Sequence, residues 1–184
     1  FQMAGDYYEG MLSNMGYKNP YLTSVDYVVP NDQEQSMEAY ASQAAQTIFL
    51  SYPNVIVSDI NTVKYFSGQY ADMSDFYNAL RDELPSDVYE KLTPVYTSEA
   101  EYQELLQYSA QYYGITEPDA EDEEYSDEQI MIGIEITDEA FITRLGYINM
   151  WPQTEPTLVF SINSQSMDMT DSELIITQIF KEMG

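Results

Sequence analysis

The sequence predicts an α/β domain built on an open, mostly parallel sheet with helices on both faces. Apolar or β-branched runs at 25–29, 55–57, 130–136 and 157–162 have strand character. Segments with helical periodicity and capping residues lie between them, and strands separated by single helices imply parallel β-α-β units. At 184 residues the chain has the size of one domain, with 85–128 set apart as an insert or reduced second lobe.

The opening Phe1-Gln2-Met3-Ala4-Gly5 reads as a strand ending in glycine. Because it resembles the middle of a strand, an upstream signal or anchor, since removed, is expected. Tyr8, Met11, Leu12 and Met15 then fall at i, i+3, i+4 and i+7 with Gly16 behind them, the pattern of a short helix with a glycine C-cap. A strand at 25–29 runs into Pro30-Asn31-Asp32, and the helix over 33–50 carries Met37, Tyr40, Ala41, Ala44, Ala45 and Ile48 along one stripe. Val55-Ile56-Val57 lacks alternation, as a strand buried on both faces would.

A short helix bearing Val63 and Phe66 closes at Gly68, and another covers 74–84 and stops at Pro85. Within the insert, Ser98 and Glu101 form a capping-box pattern ahead of Tyr102, Leu105, Leu106, Ser109 and Tyr113, with Gly114 as the stop. Eight acidic residues between Glu117 and Glu128 read as a solvated loop. A strand at 130–136, a helical turn or two at 137–145, a strand at 157–162 and a helix capped by Thr170 with Glu173 complete the chain.

Six basic against 32 acidic residues give a net charge of −26, and histidine is absent, so this charge changes little around neutrality. Such a surface repels phosphate backbones and anionic lipid heads, which argues against nucleic acid or bare membrane as partners. Hydrophobic residues make up 44% of the chain and are spread along it, so the acidity belongs to the surface of a folded domain. With no cysteine there are no disulfides, thiol chemistry or thiolate metal sites.

No catalytic pattern stands out. Histidine is missing as a base for a serine nucleophile, no Gly-x-Ser-x-Gly elbow occurs, and neither a Gly-x-Gly-x-x-Gly nor a P-loop pattern is present. The run Asp119, Glu121, Asp122, Glu123 and Glu124 invites calcium, but it lacks the spaced ligands and sixth-position glycine of an EF-hand loop. We therefore expect neither enzyme activity nor a cofactor or metal.

Ligands of open parallel sheets bind at the carboxyl ends of the strands. Here those loops are Gly5-Asp6-Tyr7-Tyr8, Pro30-Asn31-Asp32 and Ser58-Asp59-Ile60-Asn61. They supply Asp6, Tyr7, Tyr8, Asn31, Asp59 and Asn61 as candidate ligand-binding residues, with Trp151 as an aromatic wall. Asp6, Asp32 and Asp59 also stand where helix N-caps would. Eighteen tyrosines and ten methionines suit either recognition surfaces or amphipathic core edges.

Phe1 to Tyr8, Val55-Ile56-Val57-Ser58-Asp59, and Tyr65-Phe66-Ser67-Gly68-Gln69-Tyr70-Ala71-Asp72-Met73 together resemble the extracellular solute-binding-protein-like proteins of Gram-positive bacteria. The segments Ile132 to Asp138 and Thr157 to Lys181 are similar to that family's returning strands and closing helix. The resemblance implies a periplasmic-binding-protein-like fold of type II with a reduced second lobe. It also implies an extracellular location, membrane tethering through an N-terminal anchor, and binding without catalysis. The expected ligand is a small neutral or cationic solute or a peptide. The alternative is a cell-surface protein-interaction or structural module that has lost its cleft.

Overall fold

The computed structural model describes residues 5–22, 53–104, 125–146, 157–166 and 168–184. Helix α1 (Gly5–Asn14) buries Tyr8, Met11 and Leu12, the stripe that the spacing predicts. Its end is a Schellman turn, in which the Gly16 amide donates to the Ser13 carbonyl and the Tyr17 amide to that of Leu12, both at 3.0 Å. Gly16 has φ 94°, the left-handed conformation that favours glycine. The strand expected through Gly5 gives way to this helix, which already includes Gly5 and Asp6, and residues 1–4 lie outside the described set.

After α1 come β1 (Val55–Ser58), α2 (Ile60–Tyr65), a 3-10 turn at Ser67–Gln69, α3 (Ser74–Glu83), α4 (Ser86–Tyr89) and β2 (Thr93–Thr97). A helical stretch at 99–104 follows, then β3 (Ile130–Ile136), α5 (Glu139–Arg144), β4 (Leu158–Ile162) and α6 (Met169–Lys181). The expected strand at 25–29, the helix over 33–50 and the acidic run 119–124 lie outside the described residues.

The four described strands form one sheet in the order β1-β4-β3-β2, and every pairing is antiparallel. The α/β class therefore stands, but the mostly parallel sheet does not. Six residues of α5 cover about 9 Å, whereas the seven of β3 extend roughly 23 Å, so α5 by itself is too short to return the chain along the strand. Residues 147–156 of the same link lie outside the described set, and β4 begins where β3 ends, with Leu158 paired to Ile136.

Two hydrophobic clusters lie on opposite faces of the sheet. On the first face Leu158, Phe160, Ile162, Ile134 and Ile136 pack against residues of α1, α3, α4, α5 and α6. On the second, Val159, Ile132 and Val95 pack against Val63 of α2 and Tyr70. All of β4 is buried, which suits its near-continuous apolar sequence Leu-Val-Phe-Ser-Ile. Val55 and Val57 face the first cluster and Ile56 the second, but β1 ends the described strand order and its residues are only half-buried.

Within β3 the alternation slips once. Gly133 pairs with Val95 and Met131 with Tyr96, leaving Ile132 as the extra residue of a β-bulge. Ile132 and Gly133 thus both address the second face, while Met131 and Ile134 address the first.

Capping follows the sequence closely at some helices. The Ser98 amide donates to Glu101 Oε2 at 2.9 Å and the Glu101 amide to Ser98 Oγ at 3.2 Å, a reciprocal capping box. Asp138 accepts from the Phe141 amide at 3.0 Å at the start of α5. That bond, helped by the Lys91 ammonium 3.4 Å away, holds the Asp138 carboxyl below the usual carboxylate range. For α6 the cap is Asp168, which accepts from the Asp171 amide at 3.0 Å, so the helix starts before the Thr170–Glu173 box that the sequence offered.

Candidate functional site

Tyr7 and Tyr8 belong to the packing of α1 on the first face. Tyr8 is buried in the cluster and Tyr7 is half-buried beside it, with the two rings edge to face at 5.2 Å. The Tyr7 hydroxyl donates to the Glu182 carboxylate, and the Arg144 guanidinium donates to the Glu182 backbone carbonyl. Burial, and then the Glu182 carboxylate that accepts its hydrogen bond, push the Tyr7 phenol well above its ordinary value, with Arg144 opposing. A phenol held neutral in this way ties α1 to the end of α6.

Asp59 stands directly after β1 and caps α2. Its Oδ1 accepts from the Asn61 and Thr62 amides at 2.9 and 3.0 Å, and its Oδ2 accepts from the Thr62 hydroxyl at 2.7 Å. Both carboxylate oxygens are thereby engaged at the helix start. Asp59→Ala is expected to lower stability by about 1 kcal/mol, read as a shift of the urea midpoint at unchanged slope. Restoration of the midpoint by Asp59→Asn would mark the loss as one of capping, and a loss shared by both variants would contradict it. Asn61 is exposed on the same helix.

The sheet separates these groups. Tyr7 and Tyr8 pack with α6 on the first face, whereas Ile60 and Val63 of the helix capped by Asp59 pack on the second. The structure therefore brings Tyr7 next to Tyr8, and Asp59 next to Asn61, but does not join the two pairs. Asp6 lies in the first turn of α1. Asn31 and Trp151 lie outside the described residues.

Compared with known proteins, the chain matches no family model, no curated protein and no solved structure. Among the described residues, no group of three or more acidic side chains is arranged to hold a metal ion, and no helix is long and apolar enough to cross a membrane.

Two features escaped the sequence pattern. Tyr70 is buried on the second face, and that burial raises its phenol above its ordinary value. Ser58 beside it opposes the shift, and the Asp59 carboxylate adds to it. The second is an aromatic group at the edge of the first face. Tyr77 and Tyr89 have ring centres 5.1 Å apart, Arg81 lies 5.5 Å from the Tyr89 ring, and the Tyr77 hydroxyl donates to the Leu92 carbonyl at 3.1 Å. Burial, then the neighbouring Tyr89, push the Tyr77 phenol up to about 12. Neither feature has a signal in periodicity, because each depends on residues that meet only in three dimensions.

These phenols set an alkaline limit. An unfolded tyrosine ionises near pH 10, while Tyr7, Tyr70 and Tyr77 hold their protons to higher pH when folded. Their contribution is fully present below about pH 10 and is lost as pH rises through the folded values, which for Tyr77 is about 12. Urea midpoints are expected to fall steadily above about pH 10, with a shallower fall in Tyr70→Phe. A midpoint independent of pH in that window would contradict the assignment.

Proposed function

We propose that this domain is an extracytoplasmic, non-catalytic module that binds a partner protein with a basic surface. On this reading its scaffold is periplasmic-binding-protein-like with a reduced second lobe, and the solute cleft is gone. The observation that carries the reading is the separation of Tyr7 and Tyr8 from Asp59 by the sheet, with Tyr8 buried in the core and Asp59 spent on capping. Residues used in this way are poor material for a solute site. The net charge of −26 favours a cationic partner through long-range attraction. Placement outside the cell on a membrane anchor rests on the sequence resemblance alone.

The non-catalytic part draws on how the ordered carboxylates are employed. Asp59, Asp138 and Asp168 each accept backbone amides at a helix start. That use orients their carboxylates toward the helix amides, which suits capping better than proton transfer.

A thermal-shift screen of amino acids, sugars and short neutral peptides, run beside interferometry with a lysine-rich peptide, tests the proposal. The peptide is expected to bind with an affinity that falls steeply with salt, and no solute is expected to raise the melting temperature. A solute at about 100 times its dissociation constant would add about 2.7 kcal/mol, roughly 5–10 °C for a domain of this size, so a hit would be plain. A solute that stabilises the wild type but not Asn61→Ala would overturn the proposal in favour of a solute-binding site. Failure of the lysine-rich peptide to bind at low salt would also overturn it.

A further inference from the structure

Pairing of β3 with β4 stops at Ile134 and Phe160, although β3 begins at Ile130 and β4 runs on to Ile162. Residues 70–73 enter the fork between them, where the Ala71 amide donates to the Ile162 carbonyl at 2.9 Å and the Met73 amide to the Met131 carbonyl at 2.8 Å. Tyr70 forms an isolated antiparallel bridge with Asn163 and is buried on the second face.

Ser161 and Asn163 follow Val159 at two-residue steps and so share that face. They are 0% and 2% exposed. Asn163 Oδ1 accepts from the Gln165 amide at 3.0 Å, which fixes the side-chain amide and leaves Nδ2 as its donor. Neither that Nδ2 nor Ser161 Oγ has a hydrogen-bond partner among the described residues. A buried hydroxyl or amide left so costs stability, and native folds satisfy such groups through protein atoms or ordered water. Residues two apart on a strand are about 6–7 Å apart, a span that one water closes with a bond of about 2.8 Å on each side.

We propose that the fork between β3 and β4 is an internal water site, in which one ordered molecule accepts from Asn163 Nδ2 and bonds Ser161 Oγ. This water stands in for cross-strand contacts that the two strands give up beyond Ile134, on the side of the sheet where Tyr70 packs.

A high-resolution crystal structure of the protein, with thermal melts of the wild type and Ser161→Ala, tests the site. Density for a water within hydrogen-bond distance of both atoms is expected, and Ser161→Ala is expected to lower the melting temperature by about 2–6 °C, because the bound water loses a partner. A hydroxyl buried with no partner at all would give the opposite sign, since its removal relieves a cost. A melting temperature that is unchanged or raised would therefore overturn the proposal. So would a fork that holds no water, a Ser161 hydroxyl bonded directly to another protein group, or density too large for a single water, which would mark a small ligand instead.

Discussion

Replacing Gly133 with alanine is expected to destabilise the domain by about 2–3 kcal/mol, lowering the melting temperature by roughly 4–12 °C. A Cβ at this position would lie 2.5 Å from Val159 Cγ1, 2.8 Å from Ser161 Oγ and 3.3 Å from the Phe160 carbonyl oxygen. The Ser161 hydroxyl can rotate away, but the Val159 methyl is held by a β-branched side chain with little rotamer freedom. Both neighbours sit on β4, which is wholly buried, so the strand itself has little room to retreat. The higher strand propensity of alanine, about 0.5–1 kcal/mol, recovers only part of the loss. The cause is separable by a double-mutant cycle with Val159→Ala, which removes the nearest obstacle. The two changes are expected to couple favourably by at least about 1 kcal/mol. Strict additivity in urea unfolding would show that the close approach is not what forbids a side chain here.

Phe180→Ala is expected to be more damaging still, at about 3–5 kcal/mol. Phe180 is fully buried at the heart of the first face, with its ring edge to face with Phe160 at 5.2 Å and 78°. Truncation removes the transfer free energy of the ring, leaves a cavity between α6 and β4, and forfeits an aromatic contact of about 0.5–1.5 kcal/mol. Against a total stability of about 5–15 kcal/mol for a domain, such a loss is a large fraction. Leu174→Ala on the same helix serves as the control, because that side chain is 52% exposed and its removal should change stability by about 0.5 kcal/mol or less. Equal effects of the two substitutions on the urea midpoint would contradict this placement of α6.

Periodicity made element type legible where one face or both faces are apolar. The alternation of β3, the apolar run of β4 and the i, i+3, i+4 stripe of α1 each reported what the residue packs against, and that is a local property. Strand β2 carries a conflicting sequence signal, because Pro94 argues against a sheet interior. The structure resolves the conflict by placing β2 at the end of the described strand order, where a strand needs one hydrogen-bonded neighbour. Strand direction was illegible for a different reason. Whether two strands run parallel depends on where the whole connection delivers the chain, and a helical stretch within it, such as α5 between β3 and β4, does not by itself say.

The candidate site was legible only as a set of residue types. Asp59 follows its strand as expected, and both its binding and its capping roles predict an aspartate there. Only the three bonds it accepts from Asn61 and Thr62 distinguish them. The alternation of Phe1 to Gly5 points to a strand with Tyr7 and Tyr8 in the loop at its end. The helix that begins at Gly5 turns the same residues toward α6. Which face of the sheet a helix covers depends on strand order, and no stretch of sequence shorter than the whole sheet contains that information.

The bulge in β3 also governs how the length of this chain can drift. In a regular strand, loss of one residue inverts every side chain beyond it, sending core residues to the wrong side. Ile132 and Gly133 already share a face, so removal of Gly133 leaves Ile132 on the second face and Met131 on the first. Removal of Ile134 would instead send an apolar residue out of the core in exchange for a glycine. Among the residues of β3, the bulge is therefore where a one-residue gap in a homologous sequence would leave the two faces of the strand in register.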